Sequence, residues 1–250
     1  MNNAPVLPVK DDPNFAKNKK KLPPAPTRLV GLPNPDKLEH ESYDDYDTNE
    51  NLARYPKPFR CVILGKVNSG KSLIAKHILL AHQAHKPKFK EVYVVHGCEN
   101  SEEYDDIQPT EIMAEIPSYT EFDKEVQKLL IIDDYDWTRV SPEALKRMSE
   151  LCRFGSTHCN MSIIVLHQSF FRVPKIVKDT ANVFIVFKPH DLDELGTIGR
   201  RCGLGKKKIT SIFETYLPKW RDSLCINLIP GAPHKFCKNL FEPLEIKVDE

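Results

Sequence analysis

Lysine, serine, two aspartates and a glutamine recur in this chain at spacings that suit a bound triphosphate. Residues 65–72 read Gly-Lys-Val-Asn-Ser-Gly-Lys-Ser, two glycines separated by four residues and followed by a lysine and a hydroxyl. Glycines in such a loop let successive backbone N–H groups converge on an anion, and a helix starting there adds its positive end. Lys71 would reach the β- and γ-phosphates, and the Ser72 hydroxyl would hold Mg²⁺. Gly65, Lys66, Val67, Asn68, Ser69 and Gly70, with Leu73 just beyond, would complete the cradle of an ATP site. Sixty-two residues after Lys71, the run Leu129–Ile132 ends in Asp133-Asp134. Asp133 would hold the metal through its water shell, and Asp134 would orient and deprotonate an attacking water. Gln168, at the end of MSIIVLHQS, can hydrogen-bond the γ-phosphate or that water. Read blandly, the aspartates are turn residues and Gln168 caps a strand.

These groups need strands to deliver them to one edge. Phe59–Leu64 is an apolar run rich in the residue types of a buried parallel strand, and the helix Ser72–His85 follows the loop. Pro87 ends that helix, and Glu91–His96 is a second strand. Residues 99–116, with Glu102, Glu103, Asp105 and Asp106, read as an acidic surface connection before a short helix at about 119–128. Four apolar residues running into Asp133 are how a buried strand presents carboxylates at its carboxyl edge, where open α/β sheets bind ligands. Ser141-Pro142 is an N-cap with proline at the first helical position. The helix runs to about Phe154, buries Leu145, Met148, Leu151 and Cys152, and stops at Gly155. A fifth strand covers Asn182–Phe187 after the short VPKIVKDT segment. Asp191-x-x-Glu194 reads as a capping box for a helix to about Cys202, and a basic helix, Lys206–Leu217, precedes strands at SLCINLI and LEIKV. The fold expected is α/β, a P-loop NTPase with a central, mostly parallel sheet flanked by helices.

Composition limits the alternatives. The chain has 250 residues and a formal charge of +1, so no global field marks a nucleic-acid or membrane partner. No apolar run approaches a membrane span. The seven cysteines are scattered without paired spacing, which fits a reducing, intracellular setting and no disulfide framework. Cys152, His158 and Cys159 lack the second pair that a zinc site needs. Ten of the twenty prolines fall within residues 1–58, beside Lys17, Lys19, Lys20 and Lys21 and an acidic stretch, Asp36 to Glu50. Residues 1–57 therefore read as a flexible arm and 58–250 as the ATPase domain. The arm's lysines either touch DNA phosphates or are solvated. The same choice holds for Arg200, Arg201, Lys206, Lys207 and Lys208.

GKVNSGKS, LIIDDYD and HCNMSIIVLHQSFFRVPKIVKDTANVFIVFK together resemble the FtsK–HerA superfamily of P-loop motors, over about residues 58–245. More narrowly, they resemble the viral genome-packaging ATPases of poxviruses, large DNA viruses, Polinton/Maverick elements and virophages. The resemblance implies an additional-strand (ASCE, RecA-like) sheet, a homo-oligomeric ring, and ATP-driven translocation of double-stranded DNA into a preformed capsid. A capsid or portal-vertex protein is the implied partner, at a virion assembly site in the host cell or with the virion. By this resemblance Lys71 and Ser72 match the Walker A pair, Asp133 the Walker B metal ligand, Asp134 the catalytic carboxylate and Gln168 the sensor. Many relatives carry an arginine eleven residues before the sensor, where this chain has Thr157. A trans-acting arginine finger is therefore sought at Arg153, Arg200 or Arg201, with Arg172 a weaker candidate. Two other readings share the loop: a P-loop kinase of a small acceptor, and a nucleotide-binding scaffold for capsid assembly.

Overall fold

The computed structural model describes residues 53–84, 86–97, 102–189 and 191–246. Strand β1 (Arg60–Leu64) leads through the phosphate loop into helix α1 (Lys71–Gln83). Then come β2 (Glu91–His96), β3 (Glu111–Met113), β4 (Lys128–Asp133), α2 (Pro142–Glu150), α3 (Ser156–His158) and β5 (Met161–His167). Helix α4 (Lys175–Thr180), β6 (Val183–Phe187), α5 (Leu192–Arg201), α6 (Lys206–Tyr216), β7 (Ser223–Asn227), β8 (Phe236–Lys238) and β9 (Glu242–Pro243) complete the order. The strands form one sheet, β3-β2-β4-β5-β1-β6-β7-β8-β9. Pairing is parallel from β3 to β6 and antiparallel from β6 to β9.

Strands buried on both faces explain the unbroken apolar runs of the sequence. Along β1, Val62 and Leu64 face one core layer, while Cys61 and Ile63 face the other. Helix α1 covers the second face with Ala75, Ile78 and Leu79; α2, α5 and α6 cover the first with residues such as Met148, Leu195 and Phe213. Ala53 and Tyr55 are buried in the α1-side layer, so the packed core reaches upstream of residue 58. The arm as far as residue 52, with its lysines and acidic stretch, lies outside the described residues.

Several local expectations need correction. The helix expected at about 119–128 is one tight turn, Tyr119–Glu121, closed by a Ser118–Glu121 capping box. Beyond it the carbonyls of Asp123 and Val126 accept the Lys128 ammonium, with Cys159 O at 3.4 Å. Lys128 is fully buried, so those carbonyls take the place of water around its ammonium and are lost to a helical ladder. Gly155 does not end its helix, because a π turn, Leu151–Gly155, carries the chain on into α3. Leu145 is 39 % exposed, and Ala144 takes its place in the buried stripe. VPKIVKDT contains α4, and the acidic connection contains a 3₁₀ turn, Glu102–Ile107, and the edge strand β3. Leu244–Ile246 form no strand; β8 and β9 close the sheet instead.

Candidate nucleotide site

The phosphate loop is shaped by what lies beneath it. A Cβ on Gly65 would come 2.4 Å from Ser69 Oγ and 2.8 Å from Phe187 Cδ2, so only glycine fits. Gly70, the N-cap of α1, has φ 106°, in the region that glycine reaches without strain. No side chain caps α1, and its first turn holds no acidic residue. The amide groups there remain available to an anion. Lys71 is 8 % exposed, and its ammonium donates to Lys66 O at 3.0 Å. Among the described residues no carboxylate pairs with it. A nearly buried ammonium facing an uncapped helix start is a donor set that fits phosphate.

Strand polarity brings the partners to the same edge. Strand β5 lies between β1 and β4, all three run parallel, and Gly65 N donates to His167 O at 3.1 Å. The carboxyl ends of β4 and β5 thus carry Asp133, Asp134 and Gln168 up beside the loop. Ser72 Oγ donates to Asp133 Oδ2 at 3.0 Å, joining the two expected metal ligands directly. Asp133 is buried, and burial raises its carboxyl above the usual range; hydrogen bonds from Tyr104 and Ser72 pull the other way. Asp134 is exposed with φ 51°, a left-handed conformation that turns it away from the direction of its predecessor. Gln168 is exposed and borders two concavities, one with Asp134 and Arg172, the other with Gly65, Lys66 and Glu194.

Sequence reasoning missed the roles of five residues. Tyr104 OH donates to Asp133 Oδ2 at 2.6 Å from the 3₁₀ turn that the acidic composition disguised. Burial, then the adjacent carboxylate, pushes the tyrosine hydroxyl well up, so it remains a donor. Lys76 of α1 pins that turn through Asp106 at 2.7 Å and through the Glu103 carbonyl. His96 and Glu103 place ligand atoms within 4.8 Å of each other and of Asp133, so the oxygens suited to Mg²⁺ have a nitrogen beside them. Glu194 is not the second half of a capping box. Asp191 alone caps α5, accepting from Asp193 N at 2.7 Å. Glu194 turns inward and accepts from Ser169 Oγ at 2.7 Å and Phe171 N at 3.2 Å, holding the turn that follows Gln168.

The arginines separate by edge. α2 and α5 leave the site edge and run toward the amino ends of the strands. Arg153 lies near the far end of that course, on the π turn, and is exposed. Arg201 donates to Lys178 O at 3.0 Å and Asp179 Oδ1 at 2.9 Å, next to the start of β6, and Arg200 bonds Thr197 Oγ1. None of the three lines this chain's own loop, whereas Arg172 does border Asp134 and Gln168. Of the basic patch, Arg201 and Lys206 are engaged by Asp179 and Asp193. Cys152 and Cys159 are buried thiols.

No protein-family profile matches the chain, and no curated protein sequence does. Solved structures do share its fold. The genome packaging NTPase B204 of Sulfolobus turreted icosahedral virus 2, in complex with sulfate, aligns at a TM-score of 0.53 and 18 % identity, covering 75 % of this chain and 98 % of that one. B204 of Sulfolobus turreted icosahedral virus, a DNA-packaging ATPase, aligns at 0.51 and 17 % identity, covering 69 % and 93 %. The cytoplasmic domain of the Thermomonospora curvata type VII secretion ATPase EccC aligns at 0.51 and 11 % identity, over 77 % of this chain but 26 % of that one. The P-loop NTPase fold expected from the sequence is therefore the fold observed. Among the described residues no helix is long and apolar enough to cross a membrane.

Proposed function

We propose that this chain is an ATP-hydrolysing motor that translocates double-stranded viral DNA into a preformed capsid, acting as a homo-oligomeric ring against a capsid or portal-vertex protein. The observation that carries the reading is the Ser72–Asp133 contact of 3.0 Å, made at the sheet edge where Lys71, Asp134 and Gln168 also gather. Support for packaging, rather than another use of ATP, comes from B204, which matches this fold over 93 % and 98 % of its length in two structures.

In this reading the amide groups of residues 66–72 and the Lys71 ammonium hold the β- and γ-phosphates. Ser72 and Asp133 would hold Mg²⁺, with Glu103 and His96 beside them; the ion supplies charge neutralisation on the phosphate oxygens. Asp134 accepts a proton from the attacking water, and Gln168 orients that water against the γ-phosphate. Charge developing on the transferred group still needs a cation from outside the loop. Arg153, Arg200 and Arg201 would supply it across a subunit boundary, and Arg172 from within the chain. In this reading the work is done in the infected cell, at the site of virion assembly, and the likeness to packaging ATPases supports that setting.

Phosphate release is measured with and without double-stranded DNA, and with small hydroxyl acceptors added. Turnover stimulated by DNA is expected. Phosphate transfer to an acceptor would make the chain a kinase, and binding without turnover would make it an assembly scaffold. For the finger, subunits carrying Arg153→Ala mixed with Asp134→Asn subunits should regain activity if Arg153 works in trans. Assembly without recovery removes Arg153.

A further inference from the structure

Strand β7 is antiparallel to β6, so its beginning rather than its end lies at the site edge. Ser223 pairs with Phe187, the residue that packs beneath Gly65 and Gly70. The turn leading into β7 is therefore delivered to the phosphate loop on the flank opposite Asp134 and Gln168. Two of its side chains face the loop. The Trp220 ring lies under the Lys66 ammonium, 5.3 Å from the centroid, yet the residue is 52 % exposed. Arg221 borders the same concavity as Gly70, Lys71, Ser72 and Leu73, and Leu73 is 58 % exposed. Large apolar groups left in solvent around a phosphate site are what a nucleoside would cover.

The turn itself is anchored by a buried carboxylate. Asp222 is 4 % exposed and accepts from Lys219 N at 3.0 Å and Asn239 Nδ2 at 3.1 Å, with Lys238 Nζ at 3.8 Å. Burial would raise its carboxyl, but these donors outweigh burial and hold it below the usual range. An anchored carboxylate just before β7 thus fixes the two residues before it, and Lys238 of β8 with Asn239 just after it supply the anchor's distant partners.

We propose that Trp220 and Arg221 form the nucleoside wall of the site: the indole stacks on the base, and the guanidinium pairs with the phosphates nearest the ribose. This rests on the ATP-site reading above and names the part of the ligand that the loop motif does not recognise. An aromatic face accepts any base, so the wall selects for a nucleoside polyphosphate over a bare polyphosphate rather than for one base. Arg221 supplies a planar fork suited to phosphate oxygens.

The chain's two tryptophans make the test direct. Trp137 is 7 % exposed and its indole N–H has no partner among the described residues, so Trp137→Phe loses no hydrogen bond and leaves Trp220 as the only indole. Titrating that variant with ATP and with ADP should change Trp220 fluorescence, and inorganic tripolyphosphate should not. By calorimetry, Trp220→Ala should raise the ATP Kd roughly tenfold while leaving tripolyphosphate binding unchanged, and Trp220→Phe should restore it to within about threefold. Arg221→Gln should weaken ATP and tripolyphosphate together. Equal ATP affinity in Trp220→Ala and the unmodified chain overturns the proposal, as does an equal fluorescence response to tripolyphosphate. If Lys71→Ala binds ATP as well as the unmodified chain, the ATP-site reading itself fails. Lys71-dependent binding that ignores Trp220 sinks the nucleoside wall alone.

Discussion

The two flanks of the phosphate loop are built on opposite strand polarity, and polarity decides what each can carry. On the β4–β5 flank the strands run parallel to β1, and the side chains at the edge are those on which strands end: Asp133, Asp134 and Gln168. Fold hydrogen bonds hold this flank in place, through Tyr104 and Ser72 at Asp133 and through Glu194 at the turn after Gln168. On the β7 flank the side chains are those that precede a strand, Trp220 and Arg221, and a buried aspartate anchors them. The first flank holds groups suited to a metal and a proton, and the second holds groups suited to gripping a ligand. If that division is correct, substitutions on the two flanks should separate turnover from affinity.

Lys71 lies between the flanks and should be the one residue that takes both properties away. Lys71→Ala is expected to raise the ATP Kd by about 100-fold or more and to remove turnover, because a nearly buried ammonium is lost from the phosphate cradle. Calorimetry with ATP settles the first outcome. Asp134→Asn comes next and sharpens the division. Turnover should fall by roughly 10²- to 10⁴-fold, the usual worth of a general base, while the ATP Kd stays within about threefold. Equal losses in binding and turnover would show that Asp134 grips the ligand, and the two flanks would no longer differ.

The β4–β5 flank was legible in the sequence and the β7 flank was not, for a physical reason. A parallel strand buried on both faces writes itself as an apolar run, so Leu129–Ile132 announced where Asp133 would emerge. Glycine spacing announced the loop in the same way. Trp220 and Arg221 sit in a turn whose placement depends on the strand after it being antiparallel, and nothing in Ser223–Asn227 states its direction. Tyr104 hid for a different reason. Four acidic neighbours made its segment look like solvated surface, while the one aromatic among them turned inward to Asp133. Glu194 was placed on the right helix with the wrong partner, because an Asp-x-x-Glu spacing cannot show that the carboxylate has a better use across the chain, at Ser169.

Glu194→Ala tests whether the turn after Gln168 belongs to the chemical flank. The substitution leaves Ser169 Oγ and Phe171 N without their acceptor, at a cost of about 2 kcal/mol in unfolding free energy. Turnover should fall roughly tenfold as Gln168 loses its fixed position, with the ATP Kd unchanged. A stability loss with turnover intact would reduce Glu194 to a core carboxylate.

Tyr104→Phe is the mildest change and makes the finest cut. The ring stays buried against His96, with the Lys76 ammonium 5.4 Å from its centroid, so packing is kept and only the hydroxyl leaves. Asp133 Oδ2 retains the hydrogen bond from Ser72 but loses the shorter one. Its carboxyl, already raised by burial, rises further because a donor to the charged form is gone. A protonated carboxyl cannot ligate a metal, so the Mg²⁺ concentration for half-maximal turnover should increase by about tenfold, and more steeply as pH falls. ATP affinity measured in the presence of a chelator should not move, since no phosphate contact is touched. Unchanged Mg²⁺ dependence with a loss of about 1 kcal/mol in stability would mean that Tyr104 is only satisfying a buried hydroxyl. The β4–β5 flank would then owe its metal geometry to Ser72 and Asp133 alone.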